Sequence, residues 1–93
     1  VFNCVRRDTI EVADVVGPIC ESGDFFAKAR EITLSEQGDY LAVMSAGAYG
    51  MSMASRYNTR RLPAEVMVGA DGTTRLIRRR ESYDDIMAPE LGL

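Results

Sequence analysis

The sequence contains no histidine and no tryptophan. Without histidine, neither a Ser-His-Asp nor a Cys-His catalytic arrangement can be built inside this chain. A zinc site loses its commonest nitrogen ligand as well. Cysteine is scarce, with only Cys4 and Cys20, too few for the dense disulfide framework of small secreted domains. The expectation is two reduced thiols in a cytoplasmic protein. No apolar run approaches the roughly 20 residues of a membrane span, and the first residues do not read as a signal peptide. Lysine occurs once, at Lys28.

What is there fits one small domain over residues 1–93. The hydrophobic fraction of 46% is ordinary for a folded chain, and the net charge of -3 gives no reason to expect a nucleic-acid partner. Positive charge is dense only at Arg78-Arg79-Arg80, which reads as a solvated strand end rather than a phosphate-binding patch.

The pattern is mostly β. Phe2 to Arg6 reads as a strand. Thr9 to Val16 alternates, with Ile10 and Val12 on one face and Thr9 and Glu11 on the other, until Gly17-Pro18 breaks it. Phe25-Phe26-Ala27 is a short apolar segment after a turn. Glu36 to Asp39 reads as a turn leading into Tyr40-Leu41-Ala42-Val43-Met44, the pattern of a buried central strand. Ala48 to Ser55 has helical spacing interrupted by Gly50, enough for one or two turns. Ala64 to Val68 and Thr74 to Arg78 flank a Gly- and Asp-containing turn and form a hairpin pattern. Ser82-Tyr83-Asp84-Asp85 is a capped helix start, Pro89 stops it, and the last residues are expected to fray. The fold class expected is mainly β, a compact Greek-key-like β-barrel or sandwich with one or two short helices.

Two stretches carry side chains with chemical potential. The first is Gly17-Pro18-Ile19-Cys20-Glu21-Ser22-Gly23-Asp24. A loop cysteine can be exposed and reactive, although most lone cysteines are buried and inert. Glu21 beside it can hold an amino group through a charge-assisted hydrogen bond, or stand as a plain surface carboxylate. Gly23 and Asp24 most simply serve a turn. The second stretch is Ser45-Ala46-Gly47-Ala48-Tyr49-Gly50, continuing through Met53-Ala54-Ser55-Arg56-Tyr57-Asn58. Glycines around Tyr49 leave room for a ligand, and a phenol there can donate to a phosphate oxygen. The competing reading is a core tyrosine with a backbone partner.

Both stretches, in this order, resemble the C-terminal domain of the diaminopimelate decarboxylase family. The likeness runs from Gly17 to Arg30, from Leu41 to Val68 and over Arg75 to Glu81. It implies a pyridoxal 5'-phosphate enzyme acting on meso-diaminopimelate to give L-lysine. In that family Cys-Glu-Ser-Gly-Asp opens an active-site loop whose cysteine is assigned as a proton donor and whose glutamate contacts the substrate. Cys20 and Glu21 are the matching residues. The Ala-Tyr-Gly tyrosine lies near cofactor phosphate and substrate, and Tyr49 matches it. Ala29, Met51 and Arg56 depart from the common pattern without removing any of these side chains. The related ornithine and arginine decarboxylases usually follow the cysteine with aspartate, so Glu21 and Ala64-Glu65-Val66 favour the diaminopimelate branch.

The resemblance also marks what the 93 residues lack. The family's cofactor-holding lysine belongs to an N-terminal α/β barrel. Lys28, in Phe26-Ala27-Lys28-Ala29-Arg30, has no glycine-rich phosphate cradle beside it and reads as a surface charge. A start inside a strand is expected of a fragment. Two function classes follow: part of a decarboxylase that completes an active site across a homodimer, or a non-catalytic β-domain for assembly or binding.

Overall fold

The computed structural model describes residues 1–90 and Gly92. The chain divides into two units, Val1–Ala46 and Gly47–Leu93.

The first unit is built on a hairpin. Strand β2 (Ile10–Val16) pairs antiparallel with β3 (Phe25–Thr33), Ile10 opposite Thr33 and Val16 opposite Phe25. Alternation along β2 is as expected, but its apolar face is the open one. Ile10 and Val12 are exposed, while Glu11 is half-buried and accepts the Ser35 N–H at 2.8 Å. The Phe25-Phe26-Ala27 segment extends into a nine-residue strand, because β2 offers it a full-length partner. The ladder is interrupted between Ala13 and Val15. Asp14 fills the break by accepting the Ala29 N–H at 2.7 Å, and Ala29 takes a left-handed φ of 49°. Such bulges bend a strand and re-aim its side chains.

A short pair, β1 (Phe2–Asn3) with β4 (Leu41–Ala42), completes this unit. Both strands are shorter than the sequence pattern implied. Strand β1 stops because the Asn3 side chain accepts the Val5 N–H at 2.9 Å, a local bond that competes with the ladder. The expected buried strand Tyr40–Met44 is reduced to Leu41–Ala42, and Tyr40, Val43 and Met44 are exposed. Its partner β1 is only two residues long, so the apolar run has neither ladder nor cover.

Polar ties hold this region. Asn3 is 7% exposed and donates to the Leu34 carbonyl at 3.2 Å and to Asp39 Oδ2 at 3.0 Å. The Arg7 guanidinium binds both Asp39 oxygens and the Leu34 carbonyl. Asp39 also accepts the Glu36 N–H at 2.9 Å, closing the expected turn. The Arg7 hydrogen bond, then the Glu36 N–H and Asn3, hold the Asp39 carboxyl far below the usual range. The buried apolar residues of this unit, among the described residues, are Ala27 and Ile32 on β3.

The second unit opens with two turns of 3-10 helix, Met51–Met53 and Tyr57–Thr59. Strands β5 (Glu65–Val68) and β6 (Thr74–Arg78) form the expected hairpin. Gly72 supplies a φ of 82° in its turn, and the Asp71 carboxylate takes the Thr73 hydroxyl and N–H. Helix α1 (Tyr83–Met87) begins as expected. Ser82 accepts the Asp85 N–H, and Asp85 reaches back to the Ser82 N–H in a reciprocal capping box. The expectation of fraying falls on Leu91 and Leu93, outside the described residues. The molecule is thus strand-rich with short helices, as expected. Among the described residues the strands pair two by two, as β1–β4, β2–β3 and β5–β6, without closing into a barrel.

Candidate functional site

The loop between β2 and β3 carries two of the three expected site residues. Gly17 N–H donates to the Asp24 carbonyl at 2.9 Å, tying the two ends of the loop. Inside it, the Ile19 N–H donates to Asp24 Oδ2 at 2.8 Å, and the Asp24 N–H donates to the Glu21 carbonyl at 3.1 Å. Asp24 therefore makes three bonds across a loop of eight residues. Ile19 and Asp24 are half-buried, while Cys20 and Glu21 face outward and are exposed. The Glu21 carboxylate accepts the Gly23 N–H at 3.1 Å, so it folds back on its own loop. A carboxylate this exposed can exchange that bond for an external ammonium at small cost.

Tyr49 lies in the second unit. It is 79% exposed. Its φ of 62° is left-handed, an uncommon conformation for a bulky residue and one that concentrates at functional positions. A Cβ built on Gly47 would meet nothing within 4 Å, so the approach from that side is open.

Charge in the second unit is arranged in pairs that the sequence did not reveal. Arg56 binds Glu81 at 2.5 Å, Arg78 binds Glu65 at 2.5 Å, and Arg79 binds Asp85 at 2.6 Å. Glu81, its side chain only 10% exposed, also accepts the Leu62 N–H at 3.0 Å. These bonds lower the Glu81 carboxyl, through Arg56 first and the Leu62 N–H second. Arg56, Leu62, Arg78, Arg79, Glu81 and Asp85 line a cavity of about 270 Å³. Two of the three arginines of the basic run are thus paired with carboxylates. The partners Glu65 and Asp85 sit 13 and 6 positions away, distances that no short motif encodes.

The Lys28 ammonium lies 4.4 Å over the Phe25 ring, on the exposed part of β3. No group of three or more His, Cys, Asp or Glu side chains among the described residues is placed to hold a metal ion. No helix among them is long and apolar enough to cross a membrane.

The model of the pyridoxal-dependent decarboxylase C-terminal sheet domain matches residues 3–47, a span that contains the whole Cys20–Glu21 loop. Beyond them, the similarity covers most of the chain. It is 57% identical over 82 residues to the diaminopimelate decarboxylase of Aquifex aeolicus, covering 88% of this chain and 19% of the relative. It is 59% identical over 80 residues to that of Neisseria meningitidis serogroup A, covering 85% and 19%. Among solved structures, the diaminopimelate decarboxylase of M. jannaschii in complex with L-lysine matches with a TM-score of 0.90 at 41% identity, over 99% of this chain and 21% of that one. The Helicobacter pylori enzyme complexed with L-lysine matches with a TM-score of 0.86 at 39% identity, over 96% and 22%. The chain spans about a fifth of the length of the curated relatives it matches.

Proposed function

We propose that residues 1–93 are part of the C-terminal domain of a diaminopimelate decarboxylase, and that the complete protein converts meso-diaminopimelate to L-lysine and carbon dioxide. The observation that carries this reading is the exposed Cys20-Glu21 pair, held outward by a tied loop inside the segment that matches the decarboxylase sheet domain. The L-lysine complexes of the two similar enzymes support the choice of product. In this reading the cofactor is pyridoxal 5'-phosphate, held by the α/β barrel that this chain does not include. The complete enzyme is a cytoplasmic homodimer.

The cofactor, when bound, supplies the electron sink that lets the carboxylate leave as carbon dioxide. This chain supplies side chains around it. The Cys20 Sγ–H delivers the proton that takes the place of the departed carboxyl group. The Glu21 carboxylate leaves the Gly23 N–H and pairs with an ammonium of the substrate. The Tyr49 hydroxyl donates to a cofactor phosphate oxygen. Lys28 has no part in this.

The exposed apolar side chains of the first unit, among them Ile10, Val12, Val16, Phe25 and Phe26, support a chain that is covered by more protein in its complete form. The isolated 93 residues therefore neither retain pyridoxal phosphate nor release carbon dioxide. The test is release of carbon dioxide and L-lysine from meso-diaminopimelate by the full-length protein and by the isolated chain, beside cofactor absorbance. Activity in the full-length protein alone is the expected result. Cofactor-dependent turnover by the isolated chain, or none on this substrate by the full-length protein, overturns it.

A further inference from the structure

Three candidates stand outside the roles given above. The arginine-lined cavity of the second unit has its Arg56, Arg78 and Arg79 paired with carboxylates, which leaves no cation for a ligand. The open apolar face of β2 has nothing on it to identify a partner. The third is Asp24, and here the geometry is specific.

We infer that Asp24 is the positioning residue of the Cys20-Glu21 loop, acting through hydrogen-bond acceptance and not through its charge; this rests on the decarboxylase reading above. Two carboxylates of the loop, Glu21 and Asp24, sit three positions apart and do different work. Glu21 is exposed and holds only the Gly23 N–H, two residues away. Asp24 is half-buried, and its Oδ2 accepts the Ile19 N–H five residues away at 2.8 Å. Its backbone carbonyl takes the Gly17 N–H at 2.9 Å, and its own N–H reaches the Glu21 carbonyl at 3.1 Å.

The Ile19 amide is the one immediately before Cys20, and the Glu21 carbonyl is the one immediately after it. Asp24 thus fixes the backbone on both sides of the thiol without touching the thiol. Gly17 is the complement of this arrangement. A Cβ built there would overlap the Asp24 carboxylate, so the carboxylate occupies space that only glycine leaves open. When Glu21 releases Gly23 to take a substrate ammonium, the Asp24 bonds remain, and the thiol keeps its place while its neighbour moves. A loop held this way separates the residue that binds from the residue that must stay still.

The test uses the full-length protein with Asp24→Ala, Asp24→Asn and Gly17→Ala. Asparagine keeps an acceptor oxygen for the Ile19 N–H and loses the charge. Asp24→Ala is expected to lower kcat about tenfold to a hundredfold, the scale of a misplaced catalytic group, with cofactor absorbance unchanged. Asp24→Asn is expected within about threefold of wild-type kcat, since only the acceptor is needed. Gly17→Ala, which displaces the carboxylate sterically, is expected to behave like Asp24→Ala. Hydrogen exchange over the peptide containing residues 17–21 is the readout independent of activity. It is expected to quicken in Asp24→Ala and Gly17→Ala, and to stay slow in Asp24→Asn.

Wild-type kinetics and exchange in Asp24→Ala would overturn the inference. So would an Asp24→Asn variant as impaired as Asp24→Ala, which would assign the role to charge. If the wild-type protein does not act on meso-diaminopimelate, the functional reading fails, and the exchange pattern alone decides whether Asp24 holds the loop. Should Asp24→Ala not fold, Gly17→Ala and Asp24→Asn still separate the outcomes.

Discussion

The two units present their candidate residues by different means. In Val1–Ala46 a loop tied at both ends by Asp24 holds Cys20 and Glu21 outward. At the opposite end of the β2–β3 hairpin, beside Leu34, stand the buried Asn3 and the Arg7–Asp39 pair. In Gly47–Leu93, among the described residues, no comparable hydrogen-bonded loop surrounds Tyr49, which takes a left-handed backbone angle. One unit positions by polar bonds, the other by conformation. Directional bonds fix a residue without an apolar core behind it. A strained dihedral fixes one only while its surroundings enforce it. The first arrangement suits a proton donor, which must hold its geometry closely. The second suits a hydroxyl that needs only to reach a phosphate.

The strongest way to break the contrast is Cys20→Ala in the full-length protein. If the thiol delivers a proton, kcat falls by about 10²–10⁴-fold, the usual value of a positioned general acid. The substrate constant should change far less. A steady-state comparison of the variant with wild type decides it, and unchanged kcat would leave Cys20 without a catalytic role.

Tyr49→Phe probes the other unit. Loss of one hydrogen bond to a charged acceptor costs roughly 1.5–3 kcal/mol, or about ten- to a hundredfold in cofactor affinity. Titration of the apo full-length enzyme with pyridoxal phosphate, beside a melting curve, is the measurement. Unchanged affinity with a lowered melting temperature would assign Tyr49 to structure.

A third pair of substitutions compares how each unit is held. Asn3→Ala removes a buried amide that bonds Leu34 and Asp39 and leaves the Val5 N–H without its acceptor, at a cost of about 1–3 kcal/mol. Ser82→Ala removes the cap of α1 and costs roughly 0.5–2 kcal/mol. Denaturant unfolding of the two variants should rank Asn3→Ala as the more damaging. The reverse order would mean that the capping box contributes more than the buried node.

Acid sharpens the same comparison. Asp39 is depressed by Arg7, and Asp85 by Arg79 and then by the Ser82 N–H. A depressed carboxylate contributes stability that is complete above its unfolded value, near about pH 4, and is lost as pH falls through its folded value. Melting temperature should therefore hold on descent to about pH 5 and decline steadily below about pH 4. The Asp39→Asn variant should show a shallower decline.

The smallest effect is expected at Ala29. Its left-handed φ costs an L-residue with a Cβ on the order of 1 kcal/mol, which glycine avoids. Ala29→Gly should raise stability by less than about 1 kcal/mol, since glycine also loses more entropy on folding. A lowered melting temperature would show that the bulge depends on something other than this angle.

Much of this was legible in the sequence where the signal is local. The β5–β6 hairpin follows from a Gly- and Asp-containing turn between two short strand patterns. The start of α1 follows from Ser82 and Asp85 three positions apart. The Cys20-Glu21 loop follows from Gly17-Pro18 and Ser22-Gly23-Asp24. Features that depend on distant partners were not legible. Strand β3 runs on past Ala27 because β2 lies beside it, and Tyr40–Met44 shortens because β1 does not extend. Nothing in Arg56 or Glu81 taken singly announces a bond between residues 25 positions apart. The left-handed Tyr49 was equally hidden, since tyrosine, unlike glycine or asparagine, does not signal that angle from sequence.

One feature bears on how the chain behaves in the test tube. Each strand among the described residues has a single partner, so every ladder leaves its outer N–H and C=O rows open. On β2 those rows run beside exposed Ile10, Val12 and Val16. Open edges next to apolar side chains are templates for further strands. The isolated 93 residues should therefore lose solubility as their concentration rises, through edge-to-edge growth, whereas a chain whose edges are covered would stay dispersed.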